Sequence, residues 1–126
     1  MSEPPRRRVA VIGASADRRK YGNKAVRAFA RRGYDVVPIN PHEATIEGLT
    51  AYRSVMDVSG PIDMATVYLH PDMGLKVIDD VARKGIREVW LNPGAESPAL
   101  SARARALGIT PIEACSITGV GESTED

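Results

Sequence analysis

Apolar residues along the chain gather in short unbroken runs, at 9–12, 36–39, 64–69, 89–91 and 109–112. A run without alternation predicts a strand covered on both faces, as in a parallel sheet. Between the runs the apolar positions recur with a helical period. A helix over 72–84, with Asp72 as its cap, places Met73, Val77, Ile78 and Val81 on one face. A second begins at Ser97-Pro98, a cap followed by proline at the first helical position, and buries Leu100, Ala104 and Leu107. A first helix over about 23–32 turns Val26, Phe29 and Ala30 inward.

Three junctions share one form. Ala30-Arg31-Arg32-Gly33, Ala82-Arg83-Lys84-Gly85 and Arg105-Ala106-Leu107-Gly108 each lead into a strand. Glycine suits the residue just past a helix, where the backbone often turns left-handed. The expected fold class is therefore α/β, a Rossmann-like doubly wound parallel sheet of three layers in a single domain. A short edge strand near 49–52 and a short helix near 54–58 complete it. The expected strand order is 3-2-1-4-5-6, with 9–12 central beside 64–69. Pro38 lacks a ladder N–H and is expected where pairing has stopped. Residues 1–8 read as a flexible basic arm, 9–118 as the domain and 119–126 as an acidic mobile tail.

Composition narrows the class. With 126 residues, 43% hydrophobic and 26% charged, the chain is neither disordered nor fibrous. No stretch approaches the ~20 apolar residues of a spanning helix. Arg6–Arg8 and Ala14-Ser15-Ala16 mimic an export signal, but the apolar run between them is too short. The lone cysteine, Cys115, excludes an internal disulfide and points to a reducing, cytoplasmic setting. Few aromatics argue against stacking of single-stranded nucleic acid. Charge is lopsided. Residues 1–32 hold ten basic and two acidic side chains, and residues 33–126 hold seven and fourteen, for a total of +1. A +8 segment suits a polyanionic partner or a solvated surface, and a ligand with several phosphates fits as well as nucleic acid.

In an open parallel sheet, ligands bind beyond the carboxyl ends of the strands. Three of these ends carry a polar residue before proline: Asn40-Pro41, His70-Pro71 and Asn92-Pro93-Gly94. Such pairs also serve as plain strand stops, but three of them make a rim. After the first strand, Gly13, Ala14 and Ser15 let backbone approach a ligand closely. The helix start beyond them attracts phosphate, with Arg18, Arg19, Lys20 and Lys24 near it. Lys24, in the first helical turn, is the cation expected to touch the anion; the others also read as a solvated loop. Arg18 stands where a P-loop needs glycine, and Ser15 and Arg18 replace two glycines of the dinucleotide fingerprint. Asn40 stands where an NAD site wants an acid. His42, His70 and Cys115 show no metal-ligand spacing.

The segments Val9-Ala10-Val11-Ile12-Gly13-Ala14-Ser15, Gly33-Tyr34-Asp35-Val36-Val37-Pro38-Ile39-Asn40-Pro41 and Asn92-Pro93-Gly94-Ala95 carry a resemblance. In order and spacing the chain resembles small CoA-binding domain proteins, similar to the N-terminal domain of succinyl-CoA ligase α subunits and of ADP-forming acyl-CoA synthetases. The resemblance implies a Rossmann-like domain over 9–118 with coenzyme A or an acyl-CoA as ligand. It implies that Gly13, Ala14, Ser15 and Lys24, with Arg18 and Asn23 beside them, hold the CoA phosphates. Asn40 and Pro41 would line the adenosine side. His70, Pro71, Asn92, Pro93 and Gly94 would border the pantetheine path, with Cys115 at its far end. The larger ligases add a phosphohistidine domain and a nucleotide-grasp subunit, which these 126 residues do not include. The expected role is therefore a sensor, carrier or accessory module without catalysis of its own, with no nucleic acid or membrane partner. Alternatives are a small enzyme using Cys115 or His70 on a CoA thioester, and an NAD(H)- or nucleotide-binding regulator.

Overall fold

Val9, Ala10 and Val11 are fully buried, as a strand covered on both faces requires. They lie in a computed structural model that describes residues 6–125. Along the chain run Arg8–Ile12 (β1), Tyr21–Arg31 (α1), Asp35–Ile39 (β2), Thr45–Ile46 (β3), Leu49–Thr50 (β4), a 3-10 turn at Val55–Asp57, Met64–Val67 (β5), Pro71–Arg83 (α2), Glu88–Leu91 (β6), Pro98–Ala106 (α3), Thr110–Glu113 (β7) and Ser116–Gly119 (α4). Five strands form one parallel sheet in the order β2-β1-β5-β6-β7. In register, Val9 faces Val36 on one side and Met64 on the other, and Val67 faces Leu91.

The sheet divides the core in two. Ala10, Ile12, Ala65, Val67 and Val89 pack toward Ile78 and Val81 of α2 and Leu100 and Ala104 of α3. Val9, Val11 and Met64 pack toward Ala25, Val26 and Phe29 of α1 and Ile117 of α4. This is the three-layer α/β arrangement expected, with β1 central beside β5. Ser97 caps α3 by accepting the Leu100 N–H at 3.1 Å, with Pro98 at the first helical position. The three junction glycines, Gly33, Gly85 and Gly108, have φ of 83°, 88° and 80°.

Several local expectations need correction. The edge strand near 49–52 shrinks to a single parallel bridge between Tyr52 and Ile39, because Leu49–Thr50 pairs instead with Thr45–Ile46 in a small hairpin. Pro38 sits inside β2 opposite Val11. Its carbonyl accepts the Tyr52 N–H at 3.0 Å, on the outer edge, so the N–H it lacks would point away from β1. The run expected as one strand over 64–69 leaves the sheet after Val67. His70, not Asp72, caps α2: its Nδ1 accepts the Asp72 N–H at 3.3 Å. The helix starts earlier, and its buried face is Gly74, Ile78 and Val81, which leaves Met73 exposed. Ala30 is likewise exposed at the end of α1, whose inner face is carried by Ala25, Val26, Ala28 and Phe29.

Candidate functional site

The loop from β1 to α1 is built around two glycines. Gly13 turns with φ 93°, and a Cβ there would lie 2.7 Å from the Tyr68 carbonyl oxygen. A Cβ on Gly22 would lie 2.2 Å from the Gly13 carbonyl oxygen. Only glycine at both places lets the start of α1 close onto the end of β1. Gly13 and Ala14 N–H both donate to the Ile39 carbonyl at 3.2 Å, tying the loop to β2. Asn40 fastens it again: its amide donates to the Ala14 carbonyl at 2.8 Å, and its side-chain oxygen accepts the His42 and Glu43 N–H groups. Asn23, fully buried, donates to the Ser15 carbonyl at 2.9 Å and to Glu47, and accepts from Arg27 at 2.8 Å. Glu47 is the single non-glycine residue with positive φ among the described residues, at 51°.

Two adjoining cavities open beyond the carboxyl ends of β1, β5 and β6. The larger, about 610 Å³, lies among Gly13, Arg19, Lys20, Tyr21 and Gly22 on one side and Tyr68, Leu69, His70, Pro93, Gly94 and Ala95 on the other. Tyr21 and Gly22 open the first turn of α1, at the positive end of its dipole; the next two N–H groups, of Asn23 and Lys24, donate to the Lys20 carbonyl at 3.1 and 3.0 Å. Arg19 is held by a two-toothed pair with Asp17, both contacts 3.0 Å. The Arg19 guanidinium and N–H beside Asp17 bring its carboxyl pKa down to about 2. Lys20 makes no salt bridge among the described residues. The smaller cavity, about 310 Å³, shares Tyr21, Tyr68 and Pro93 with the larger and continues to Asn92, Cys115, Thr118 and Thr124.

The floor of this second chamber is a buried polar network. Asn92, 2% exposed, donates to Thr66 Oγ1 at 2.6 Å and to the Val67 carbonyl at 3.0 Å, and accepts the Ser116 N–H at 2.8 Å. Ser116 Oγ meets Thr66 Oγ1 at 2.6 Å and the Tyr68 hydroxyl at 3.1 Å. Burial pushes the Tyr68 phenol pKa up, so it stays protonated. The network ties α4 to β5 and β6.

Of the residues singled out in the sequence, Gly13, His70, Asn92, Pro93, Gly94 and Cys115 line the two cavities. Ala14 is buried beneath the loop, and the Ser15 hydroxyl accepts the Asp17 N–H at 3.0 Å. The Asn23 and Asn40 side chains spend their bonds on the protein. Arg18 lies outside both linings, its Nε 3.5 Å from a Glu47 carboxylate oxygen. Pro41 and Pro71 lie outside both linings. Lys24 is the chief surprise: its ammonium donates to the Thr124 carbonyl at 2.8 Å and sits 5.1 Å over the Tyr21 ring. The segment expected as a mobile tail has contacts across its described part. Glu122 pairs with Arg31 at 2.7 Å and Arg32 at 2.8 Å, and the Gly121 carbonyl accepts from Arg32. The +8 of the first segment thus meets acids from the rest of the chain. Arg7 pairs with Glu88 and Arg8 with Asp35. Sequence reasoning missed Tyr21, Gly22 and Tyr68, although a glycine nine residues after Gly13 was a signal for close helix–strand approach.

The fold and site define a Rossmann-like domain with a cationic loop at a helix start, opening on an uncharged crevice. The chain belongs to the CoA binding domain family, whose profile matches residues 7–120. It is 31% identical over 84 residues to the alpha subunit of ADP-forming acetate–CoA ligase II of Pyrococcus furiosus, 66% of this chain and 18% of that protein. The ADP-forming acetate–CoA ligase of Methanocaldococcus jannaschii is 33% identical over 79 residues, 63% of this chain and 11% of the ligase. The chain thus spans less than a fifth of these relatives. Among solved structures, a conserved hypothetical protein of Pyrococcus furiosus superposes with a TM-score of 0.83 at 30% identity, covering 90% of this chain and 98% of that one. Acetyl-coenzyme A synthetase 1 of Ca. Korarchaeum cryptofilum superposes with 0.73 at 32% identity, over 82% of this chain and 25% of the synthetase. No helix among the described residues is long and apolar enough to cross a membrane.

Proposed function

We propose that the chain binds coenzyme A or an acyl-CoA across the two adjoining cavities. The phosphates lie toward Lys20, Arg19 and the first turn of α1, and the pantetheine arm runs past His70, Pro93 and Gly94 toward Cys115. The observation that carries this reading is the polarity of the continuous crevice. One end has cations and a positive helix end; the other is walled by uncharged side chains. A ligand with phosphates at one end and an uncharged arm at the other matches it. Gly13, Ala14 and Ser15 give the loop its close approach, and Asn23 and Asn40 hold it. Arg18, Pro41 and Pro71 frame the site from outside its lining, with the adenosine toward Asn40 and Pro41. Lys20 takes the phosphate role expected of Lys24.

The role is that of a sensor, carrier or accessory module in the cytoplasm, without catalysis of its own. The His70 Nδ1 is spent on capping α2, which fits a wall better than a phosphoryl carrier. The subunit name of the Pyrococcus relative supports action beside a partner protein. Calorimetry at low salt with CoA, dephospho-CoA, NAD and ATP tests the reading. CoA is expected to bind most tightly. Lys20→Glu is expected to weaken CoA about 10-fold, or ~1.4 kcal/mol, with the loss shrinking as salt screens the exposed charge. Tighter binding of NAD than of CoA, or no binding of CoA, contradicts it.

A further inference from the structure

A third cavity, about 230 Å³, lies on the other face of the sheet, between α2 and the 3-10 turn at Val55–Asp57. It too sits at strand ends, since Ile12 and Ile39 are the last residues of β1 and β2, and open α/β sheets take ligands there. Its floor is aliphatic: Ile12, Ile39, Val55, Val77 and Val81. Two side chains of opposite charge complete the lining, Arg53 on one wall and Asp80 on the other. They do not pair with each other. Arg53 is exposed and has no hydrogen bond or ion pair among the described residues. Asp80 uses Oδ1 to accept from Arg83 on its own helix at 3.2 Å, and its Oδ2 accepts nothing among the described residues. Ser54, also in the lining, accepts the Met56 N–H at its Oγ, which leaves the hydroxyl proton to donate. One wall thus offers a guanidinium and a hydroxyl to a carboxylate, and the other offers a carboxylate oxygen to an ammonium. A simple anion would face Asp80 and a simple cation would face Arg53, and like charges brought together are costly. A zwitterion answers both walls. At about 30 Å³ per water-sized unit, 230 Å³ holds about eight heavy atoms, the size of valine.

We propose that this cavity binds a free α-amino acid with a short branched aliphatic side chain. The carboxylate meets Arg53 and Ser54, the ammonium meets Asp80, and the aliphatic group lies on the floor of isoleucines and valines. The site is separate from the crevice proposed for CoA and does not rest on that reading. The test is titration of the ¹⁵N-labelled full chain with L-valine to millimolar concentration, followed by amide chemical shifts. Shifts are expected at Ser54, Val55, Val77, Asp80 and Val81. Isovalerate, which is valine without its ammonium, and valinamide, which lacks the carboxylate, are each expected to bind at least ~10-fold more weakly. Glycine, without the side chain, is expected to lose at least ~10-fold as well. Arg53→Gln and Asp80→Asn are each expected to weaken valine at least ~10-fold. Arg53 has no polar partner among the described residues, so its replacement is expected to leave the melting temperature unchanged, and a loss there reads binding alone. Amides that L-valine leaves unmoved overturn the proposal. So does isovalerate or valinamide binding as tightly as valine, or an affinity for valine that both variants leave intact.

Discussion

Replacing Gly22 with alanine tests the loop that shapes the phosphate end of the crevice. On propensity alone the change should help, since alanine in a helix is favoured over glycine by about 0.8–1.0 kcal/mol. The structure predicts the opposite. The new Cβ would lie 2.2 Å from the Gly13 carbonyl oxygen and 3.3 Å from the Ala14 Cα. Both are backbone atoms in a loop pinned to Ile39 and Asn40, so neither can swing aside as a side chain would. The start of α1 must instead withdraw by about an ångström, loosening Val26 and Phe29 against the sheet. Overpacking of this kind costs about 1–3 kcal/mol. For a chain of this size that is a fall in Tm of about 4–12 °C. Gly85→Ala is the control: no atom lies within 4 Å of its Cβ, and only the φ of 88° opposes it. Thermal melts by circular dichroism compare the two, and CoA titration should show a loss of affinity in Gly22→Ala alone. A Gly22→Ala protein as stable as wild type, with unchanged CoA affinity, would refute the close approach.

Two further substitutions probe the walls. Asn92→Leu leaves the buried Ser116 N–H without its acceptor, so urea unfolding should show a loss of about 1–3 kcal/mol with an unchanged slope; no loss would mean that the network does not hold α4 to the sheet. The Asp17 carboxyl, held down to about 2 by Arg19, has a folded pKa below its ordinary value of 3.8. Its pairing therefore favours the folded state above about pH 4 and is lost as pH falls toward 2. An NMR titration should find its midpoint near 2, and Arg19→Ala should return it toward 3.8.

What the sequence made legible follows from the range of the forces involved. The five strands of the main sheet, the helix–glycine–strand junctions and the Ser97-Pro98 start depend on residues close in the chain, and apart from strand ends they are where local pattern placed them. The rim depended on more. Asn40 and Asn92 do end strands beside the crevice, but their side chains turn inward to hold Ala14, Thr66 and Ser116. Nothing local marks which polar strand end will be spent on the protein. Lys24 shows the same limit more sharply. Its position in the first turn of α1 suggested a phosphate contact, yet its partner is Thr124, 100 residues away. The basic first segment read as a ligand surface for a related reason: the acids that neutralise Arg31 and Arg32 lie at Glu122. Tyr68 was hidden as the apparent end of a strand, and only the break after Val67 turns it into the wall shared by both cavities.

The central claim is that CoA occupies the crevice beyond β1, β5 and β6. A titration of the ¹⁵N-labelled protein with CoA, followed by amide chemical shifts, tests it most directly. Shifts are expected at Gly13, Lys20, Tyr21, Gly22, His70 and Gly94, extending to Cys115 and Thr118, while Arg53, Val55 and Asp80 on the opposite side of the sheet stay in place. A spectrum unmoved by saturating CoA, or shifts confined to that opposite side, would contradict the account.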